Sequence, residues 1–175
     1  FCCTGGFSVH AAAGGATKVH SVDLSADAID NVRANWALNV TTPAVAKCEH
    51  QTTVGDAFEV LQQLVALGKR YDIVVLDPPS FANNAADVDK ALAAYRLLTS
   101  LGVQLVAPKG VLVQASCTSR ITMDMFVAGL QNGAKDAGYR LEELERTGHA
   151  LDHPVTFREG AYLKAVYARV HPQRR

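Results

Sequence analysis

An aspartate followed by two prolines, Asp77-Pro78-Pro79-Ser80-Phe81, is the most specific local signal in the chain. Consecutive prolines fix the backbone where an acidic side chain leaves a buried strand, so the carboxylate is presented reproducibly. Gly5-Gly6, inside Phe1-Cys2-Cys3-Thr4-Gly5-Gly6-Phe7-Ser8, lets backbone approach a ligand closely. Asp23, at the end of the following strand, is spaced to hold the two hydroxyls of a ribose. Taken singly, Gly5-Gly6 reads as a tight turn and Asp23 as a solvated strand end. Taken together, they read as a nucleotide-type cofactor site. Asp56, in Gly55-Asp56-Ala57-Phe58, is placed both to cap a helix and to meet an adenine amino group, and the two roles are compatible.

The four cysteines, Cys2, Cys3, Cys48 and Cys117, show no repeated Cys-x-x-Cys spacing, so no metal site or disulfide framework is expected. Cys117 ends a strand, where residue type alone suggests a small buried side chain. No Gly-x-Gly-x-x-Gly opens the first helix, which weighs against a nicotinamide dehydrogenase. His149, Asp152 and His153 lie in a loop before the last strand, within reach of a substrate or simply on the surface. Lys164 and Arg169 are of a type to meet phosphates, but strand alternation reads them as solvent-facing.

These residues need elements to carry them. The 175 residues, 49% hydrophobic and 19% charged, match one soluble globular domain with a single core. A strand from Lys18 to Leu24 leads to Ser25 as N-cap of a helix running to Asn39, which Thr41-Thr42-Pro43 ends before a loop. Residues 47 to 54 alternate weakly, and a helix from Asp56 stops at Gly68. Tyr71 to Asp77 is the clearest strand, apolar on both sides of its pleat and so expected under helices on both faces. A helix from Asp87 to about Ala107, closed by Pro108 and Gly110, precedes a strand from Val111 to Ala115. A helix from Thr122 to about Ala137 and two late strands, Tyr139 to Glu145 and Ala161 to Val170, complete the reading. Alternating strands and helices predict a mostly parallel α/β sheet with ligands at the strands' carboxyl ends. No apolar run reaches the roughly 20 residues of a membrane helix, so no membrane partner is expected. No secretory pattern is present, and a reducing cytoplasm fits the cysteines best.

The combination of the Phe1 to Ser8 loop, Asp77-Pro78-Pro79-Ser80-Phe81, Ala115-Ser116-Cys117-Thr118-Ser119, and Asp152-His153-Pro154 before Tyr162-Leu163-Lys164 covers nearly the whole chain. It resembles the bacterial S-adenosylmethionine-dependent methyltransferases that form 5-methylcytosine in large-subunit ribosomal RNA. The resemblance implies a Rossmann-like class I methyltransferase fold with a late antiparallel strand. It implies that Thr4, Gly5, Gly6, Phe7 and Ser8 contact the methionine part of S-adenosylmethionine, Asp23 its ribose, and Asp56 and Ala57 its adenine. Cys117 becomes the nucleophile, and Asp77, beside the cofactor, holds the cytosine edge. Carbon-5 of cytosine is a poor nucleophile until a thiolate adds to carbon-6, which is why a cysteine is wanted. Cys3 stands where that family's loop usually carries tyrosine. Ser80 stands near where another RNA cytosine methyltransferase class has a second cysteine, which suggests a one-cysteine mechanism.

In that family an RNA-binding domain, a small β-rich segment and the first strand precede the cofactor loop. Residues 1–175 are therefore expected to be a C-terminal catalytic domain with the first strand truncated. The zero formal net charge agrees with an RNA grip supplied elsewhere. Ribosomal RNA is the expected partner, with oligomeric state open and a homodimer among the options. Two other readings stay in play: a methyltransferase acting on a guanine nitrogen, for which Cys117 is incidental, and a non-catalytic cofactor- or RNA-binding module.

Overall fold

The computed structural model describes residues 1–82, 84–157 and 160–173. The chain forms two compact units, Phe1–Val60 and Leu61–Arg175, with the boundary inside one helix.

In the first unit, α1 (Gly6–Ala13) precedes β1 (Lys18–Asp23), α2 (Ala26–Asn39), α3 (Pro43–Lys47) and β2 (Glu49–Val54), and α4 (Ala57–Ala66) begins there. β1 and β2 pair in parallel, from Lys18 opposite Glu49 to Asp23 opposite Val54. Ser25, with extended backbone, caps α2 by accepting the Ala28 N–H at 3.2 Å, as its position predicts. α2 also ends at the expected residue, but the loop expected after it contains α3. Pro43 ends one helix and starts the next, because its missing N–H is harmless in a first turn. Ala12, Val45 and Cys48 form a buried cluster with Val19 and Trp36 packed against it.

In the second unit, β3 (Tyr71–Leu76), a 3₁₀ turn (Ala85–Asp87), α5 (Val88–Leu105), β4 (Val106–Ser116), α6 (Met123–Asp136), β5 (Tyr139–Thr147) and β6 (Lys164–Pro172) follow. The sheet order is β3-β4-β6-β5. β3 and β4 are parallel, and β6 runs antiparallel to both its neighbours, so the late antiparallel strand is β6. The alternation of strands and helices is the Rossmann-like α/β pattern that the sequence predicts. β4 starts earlier than expected. Its register against β3 shifts between Tyr71 and Ile73, and Lys109 takes φ 68°, so Pro108 and Gly110 lie in an irregular stretch of strand rather than at a helix end.

β3 corrects the expectation of burial on both faces. Val74 and Leu76 are buried, whereas Ile73 is 62% and Val75 39% exposed. β3 is an edge strand, and α5 packs over the Leu76 side, so closely that a Cβ on Gly102 would fall 2.7 Å from Leu76 Cδ1. α6 approaches α5 equally closely at Gly133, where an added Cβ would overlap the Arg96 carbonyl oxygen. Gln114 is fully buried in mid-β4 and is satisfied from α5: its Oε1 lies 2.9 Å from Thr99 Oγ1 and its Nε2 donates to the Tyr95 carbonyl at 3.3 Å. Among the described residues no helix is long and apolar enough to cross a membrane.

Candidate active site

In the first unit, Gly5 turns the chain into α1 at φ 81°, and a Cβ there would come within 3.0 Å of Val32 Cγ1. Both facts demand glycine. The first bond of this helix runs from the Val9 N–H to the Gly5 carbonyl at 3.0 Å, which leaves the Gly6, Phe7 and Ser8 amides at an N-terminus suited to an anion. Phe7 and Thr4 are exposed, and the Thr4 carbonyl accepts from Asn35 Nδ2 at 2.9 Å. Ser8 offers a ligand its backbone only, because its hydroxyl is buried 2.7 Å from Ser21 Oγ, which continues to His50 Nε2 at 2.9 Å.

Asp23 accepts a backbone N–H on each oxygen, from Cys3 at 2.9 Å and from Ser25 at 3.0 Å. Burial pushes its carboxyl up, but these bonds, with the amino terminus of Phe1 3.7 Å from Oδ2 and the Leu24 amide, outweigh that effect and hold it below its ordinary value. Each oxygen keeps a lone pair for a further donor, such as a hydroxyl. Asp56 does cap α4: its Oδ1 accepts from the Phe58 N–H at 2.9 Å and the Glu59 N–H at 3.2 Å, leaving Oδ2 for a ligand. Ala57 is buried at the first position of that helix. An open cleft of about 240 Å³ borders the glycine loop on the α2 side, lined by Thr4, Gly5, Gly6, Val9, His10, Asn35 and Asn39. Asp23 and Asp56 stand outside it.

In the second unit, Leu76 pairs with Gln114, so Asp77 and Cys117 leave adjacent parallel strands at the same carboxyl end. Buried hydroxyls join the two segments that begin there. Tyr95 donates to Ser116 Oγ at 2.8 Å and lies 3.1 Å from Thr118 Oγ1, while the Thr118 N–H donates to Ser116 Oγ at 3.2 Å. Ser80 Oγ, from the Asp77 loop, lies 3.2 Å from Thr118 Oγ1. Tyr95 donates to Ser116, Thr118 donates to Tyr95, and the single Ser80 proton is shared between Thr118 Oγ1 and the Ala82 carbonyl, which Ser80 Oγ meets at 3.3 Å. The Phe81 ring packs 5.0 Å from the Tyr95 ring, and Phe126 meets Tyr95 edge-on from the other helix at 5.1 Å. Cys117 is thus a partly exposed thiol between two fully tethered neighbours. Asp77 is reachable by solvent, yet the protein around its carboxyl withholds enough water to raise its pKa.

Residues 1–169 match the model of the S-adenosylmethionine-dependent methyltransferase family. The chain belongs to that family. S-adenosylmethionine is the cofactor of that family, and the first-turn amides of α1 and the paired oxygens of Asp23 are donors and acceptors that fit a methionine carboxylate and a ribose. A ribosomal RNA large subunit methyltransferase of Deinococcus radiodurans is 39% identical over 170 residues, covering 97% of this chain and 41% of that protein. Ribosomal RNA large subunit methyltransferase I of Shewanella amazonensis is 38% identical over 173 residues, covering 97% and 42%. The chain spans less than half the length of these relatives. Of the solved structures, SMU.776, named as a methyltransferase and complexed with SAH, superposes with a TM-score of 0.78 at 25% identity, over 96% of this chain and 43% of that one. NSun6 from Pyrococcus horikoshii with SFG shares the fold, at TM-score 0.66 and 15% identity over 98% and 46% of the two chains.

One residue of this family member departs clearly from the sequence reading. Lys164, expected to face solvent, is 6% exposed, and its ammonium donates to the Thr118 and Tyr162 carbonyls, each at 2.8 Å. Its partners in phase along β6 are Val166, Ala168 and Val170, all buried, so the alternation itself places it inside. Arg169, out of phase, is exposed as expected. Tyr95 and Thr118 are invisible as site residues in the sequence because their partners are distant along the chain. His149 stacks on His153, meets Tyr162 edge-on and accepts the Leu163 N–H on Nε2 at 3.1 Å. Among the described residues no group of three His, Cys, Asp or Glu side chains could hold a metal.

Proposed function

We propose that this chain is the catalytic part of a large-subunit ribosomal RNA methyltransferase that forms 5-methylcytosine through a covalent Cys117 adduct. The observation that carries the reading is the hydroxyl chain Ser80–Thr118–Tyr95–Ser116, which holds the Asp77 loop and the Cys117 turn against each other at the ends of β3 and β4. A preorganised acid and nucleophile need such a fixed spacing. The names of the relatives that cover the chain supply the substrate class.

In this reading the Gly6, Phe7 and Ser8 amides, with Thr4 and Gly5 shaping the turn, hold the methionine carboxylate; Asp23 holds the ribose and Asp56 with Ala57 the adenine. When bound, S-adenosylmethionine supplies an electrophilic methyl group on its sulfonium. The Cys117 thiolate forms a bond from Sγ to carbon-6 of the cytosine, and the displaced electron pair is delocalised over carbon-5 and the N3 side of the ring. Asp77, whose carboxyl is raised by burial, is suited to share a proton with the ring edge as that charge develops. The electron pair on carbon-5 would then form the bond to the methyl carbon, and the pair of the broken sulfur–methyl bond would return to sulfur, leaving S-adenosylhomocysteine. Loss of the carbon-5 proton to a base and breakage of the Sγ–carbon-6 bond restore the thiolate and release the product.

The test is methyl transfer from labelled S-adenosylmethionine to unmodified large-subunit ribosomal RNA by the full-length protein, followed by nucleoside analysis. Label in 5-methylcytosine, lost in Cys117→Ala, is the expected result. Label retained by Cys117→Ala, or found in a methylated guanine, would overturn the covalent-cysteine reading.

A further inference from the structure

Among the described residues, Lys164 is a buried cation with no carboxylate partner. Its ammonium is satisfied only by the neutral Thr118 and Tyr162 carbonyls, and among the described residues no carboxylate lies within ion-pair reach of it. A buried charge satisfied this way is costly, and an uncommon thing for a fold to retain without a use. Its position supplies one. In the antiparallel pairing of β4 with β6, Lys164 stands directly opposite Ser116, and its bond to the Thr118 carbonyl closes over the turn that contains Cys117. Two of its three N–H donors are used, and one remains.

We propose that Lys164 is the positioning residue of the nucleophile: it clamps the Cys117 turn and supplies the positive charge against which the Cys117 thiol gives up its proton to solvent. The proposal rests on Cys117 being the nucleophile. The thiolate then becomes the missing counter-charge, and its Sγ is held for attack by a turn that the same ammonium anchors. Burial lowers the Lys164 pKa while the Cys117 sulfur pulls it back up, which marks the two as electrostatic neighbours. The other titratable groups that interact here are Tyr95 from α5, raised by burial, and Asp77 from the loop after β3; each would oppose a nearby thiolate if ionised, so Lys164 is the cation of the set.

The experiment follows alkylation of Cys117 by iodoacetamide as a function of pH in the full-length protein, read on the Cys117 peptide by mass spectrometry so that Cys2, Cys3 and Cys48 do not interfere. Lys164→Gln keeps amide donors for the two carbonyls but removes the charge. In that variant the alkylation profile is expected to move upward by about one pH unit, with a roughly tenfold slower rate at pH 7, while circular dichroism reports an unchanged fold. Lys164→Arg keeps the charge and is expected to restore much of the rate. An unchanged profile in Lys164→Gln overturns the proposal. Should the Gln variant not fold, Lys164→Met, which keeps the apolar stem and removes the charge, decides: an alkylation profile of Cys117 unmoved from wild type overturns the proposal. Cys117→Ala separates the two readings. If it still methylates, the nucleophile assignment has failed. If it is inactive and Lys164→Gln leaves the profile unmoved, only the role of Lys164 has failed.

Discussion

Ser80 Oγ lies 3.2 Å from Thr118 Oγ1, and this contact ties the loop that follows β3 to the turn that follows β4. Thr118 is fully buried and also meets Tyr95, so its hydroxyl joins the loop, the turn and α5. Ser80 is thus a strut between the two segments.

Thr118→Val removes the shared hydroxyl at nearly constant volume and leaves Tyr95 and Ser80 each one partner short. The expected cost is about 1–3 kcal/mol of stability. A larger proportional loss is expected in kcat than in cofactor affinity, because the loops are displaced while the first unit is untouched. Urea denaturation and calorimetric titration with S-adenosylmethionine, beside the methyl-transfer assay, separate the effects. A variant as active as wild type would remove the network from the account of the site.

Asp77 titrates in the opposite sense to a paired carboxylate. Burial raises its folded-state pKa above the unfolded value of about 3.9. Its contribution to stability is therefore fully present below that unfolded value and is lost as pH rises through the folded-state pKa. Asp77→Asn removes this dependence. Thermal melts from pH 4 to 8 should show the Asn variant gaining on wild type as pH rises, although methyl transfer is lost. A variant that loses stability relative to wild type toward neutral pH would show the carboxylate to be stabilised.

Two glycines of α6 give a paired test of helix packing. A Cβ at Gly133 would overlap the Arg96 backbone and approach Thr99, whereas a Cβ at Gly129 would meet nothing within 4 Å. Gly133→Ala is expected to cost about 1–3 kcal/mol, and Gly129→Ala to stabilise by about 0.4–1 kcal/mol. Chemical denaturation of both variants checks the sign at each position. Equal effects would mean that α5 and α6 are not in close contact in solution.

The features legible in the sequence are local ones. The Ser25 cap, the helix start at Thr122, the helix ends at Asn39 and just before Gly68, and the prolines after Asp77 each act within a few residues, and the structure places them as expected. The apolar run Ile73 to Leu76 carries no mark of which face a helix will cover, so its pattern suggests burial for Ile73 and Val75 that the fold does not provide. Pro43 is ambiguous by nature, since the same residue ends α2 and begins α3. Lys164 is legible but easily misread: the phase of Val166, Ala168 and Val170 puts it inside, and only its charge suggests otherwise. The hydroxyl network is not legible, because Tyr95, Ser80 and Thr118 meet across 23 and 38 residues of chain.

Asp23 is expected to act at once as ligand holder and loop brace. Its two oxygens accept the Cys3 and Ser25 amides, so the same carboxylate that offers lone pairs to a ribose also fixes the start of the glycine loop and the entry to α2. Asp23→Ala leaves both amides short of an acceptor. Asp23→Asn keeps one carbonyl oxygen but places an NH₂ where the other amide now donates. Both should weaken S-adenosylmethionine binding, by roughly 10–100-fold at about 1.4 kcal/mol per factor of ten, with Ala and Asn more alike than a pure ribose contact predicts, because each variant disturbs the brace. The depressed folded-state pKa adds a second readout. The stabilising contribution of Asp23 is present above the unfolded value of about 3.9 and is lost as pH falls through the lower folded-state pKa. Wild type should therefore lose more stability than either variant on acidification below pH 4. Calorimetry at pH 7 together with melts from pH 3 to 6 tests both halves, and unchanged cofactor affinity in Asp23→Ala would take the ribose role away from this residue.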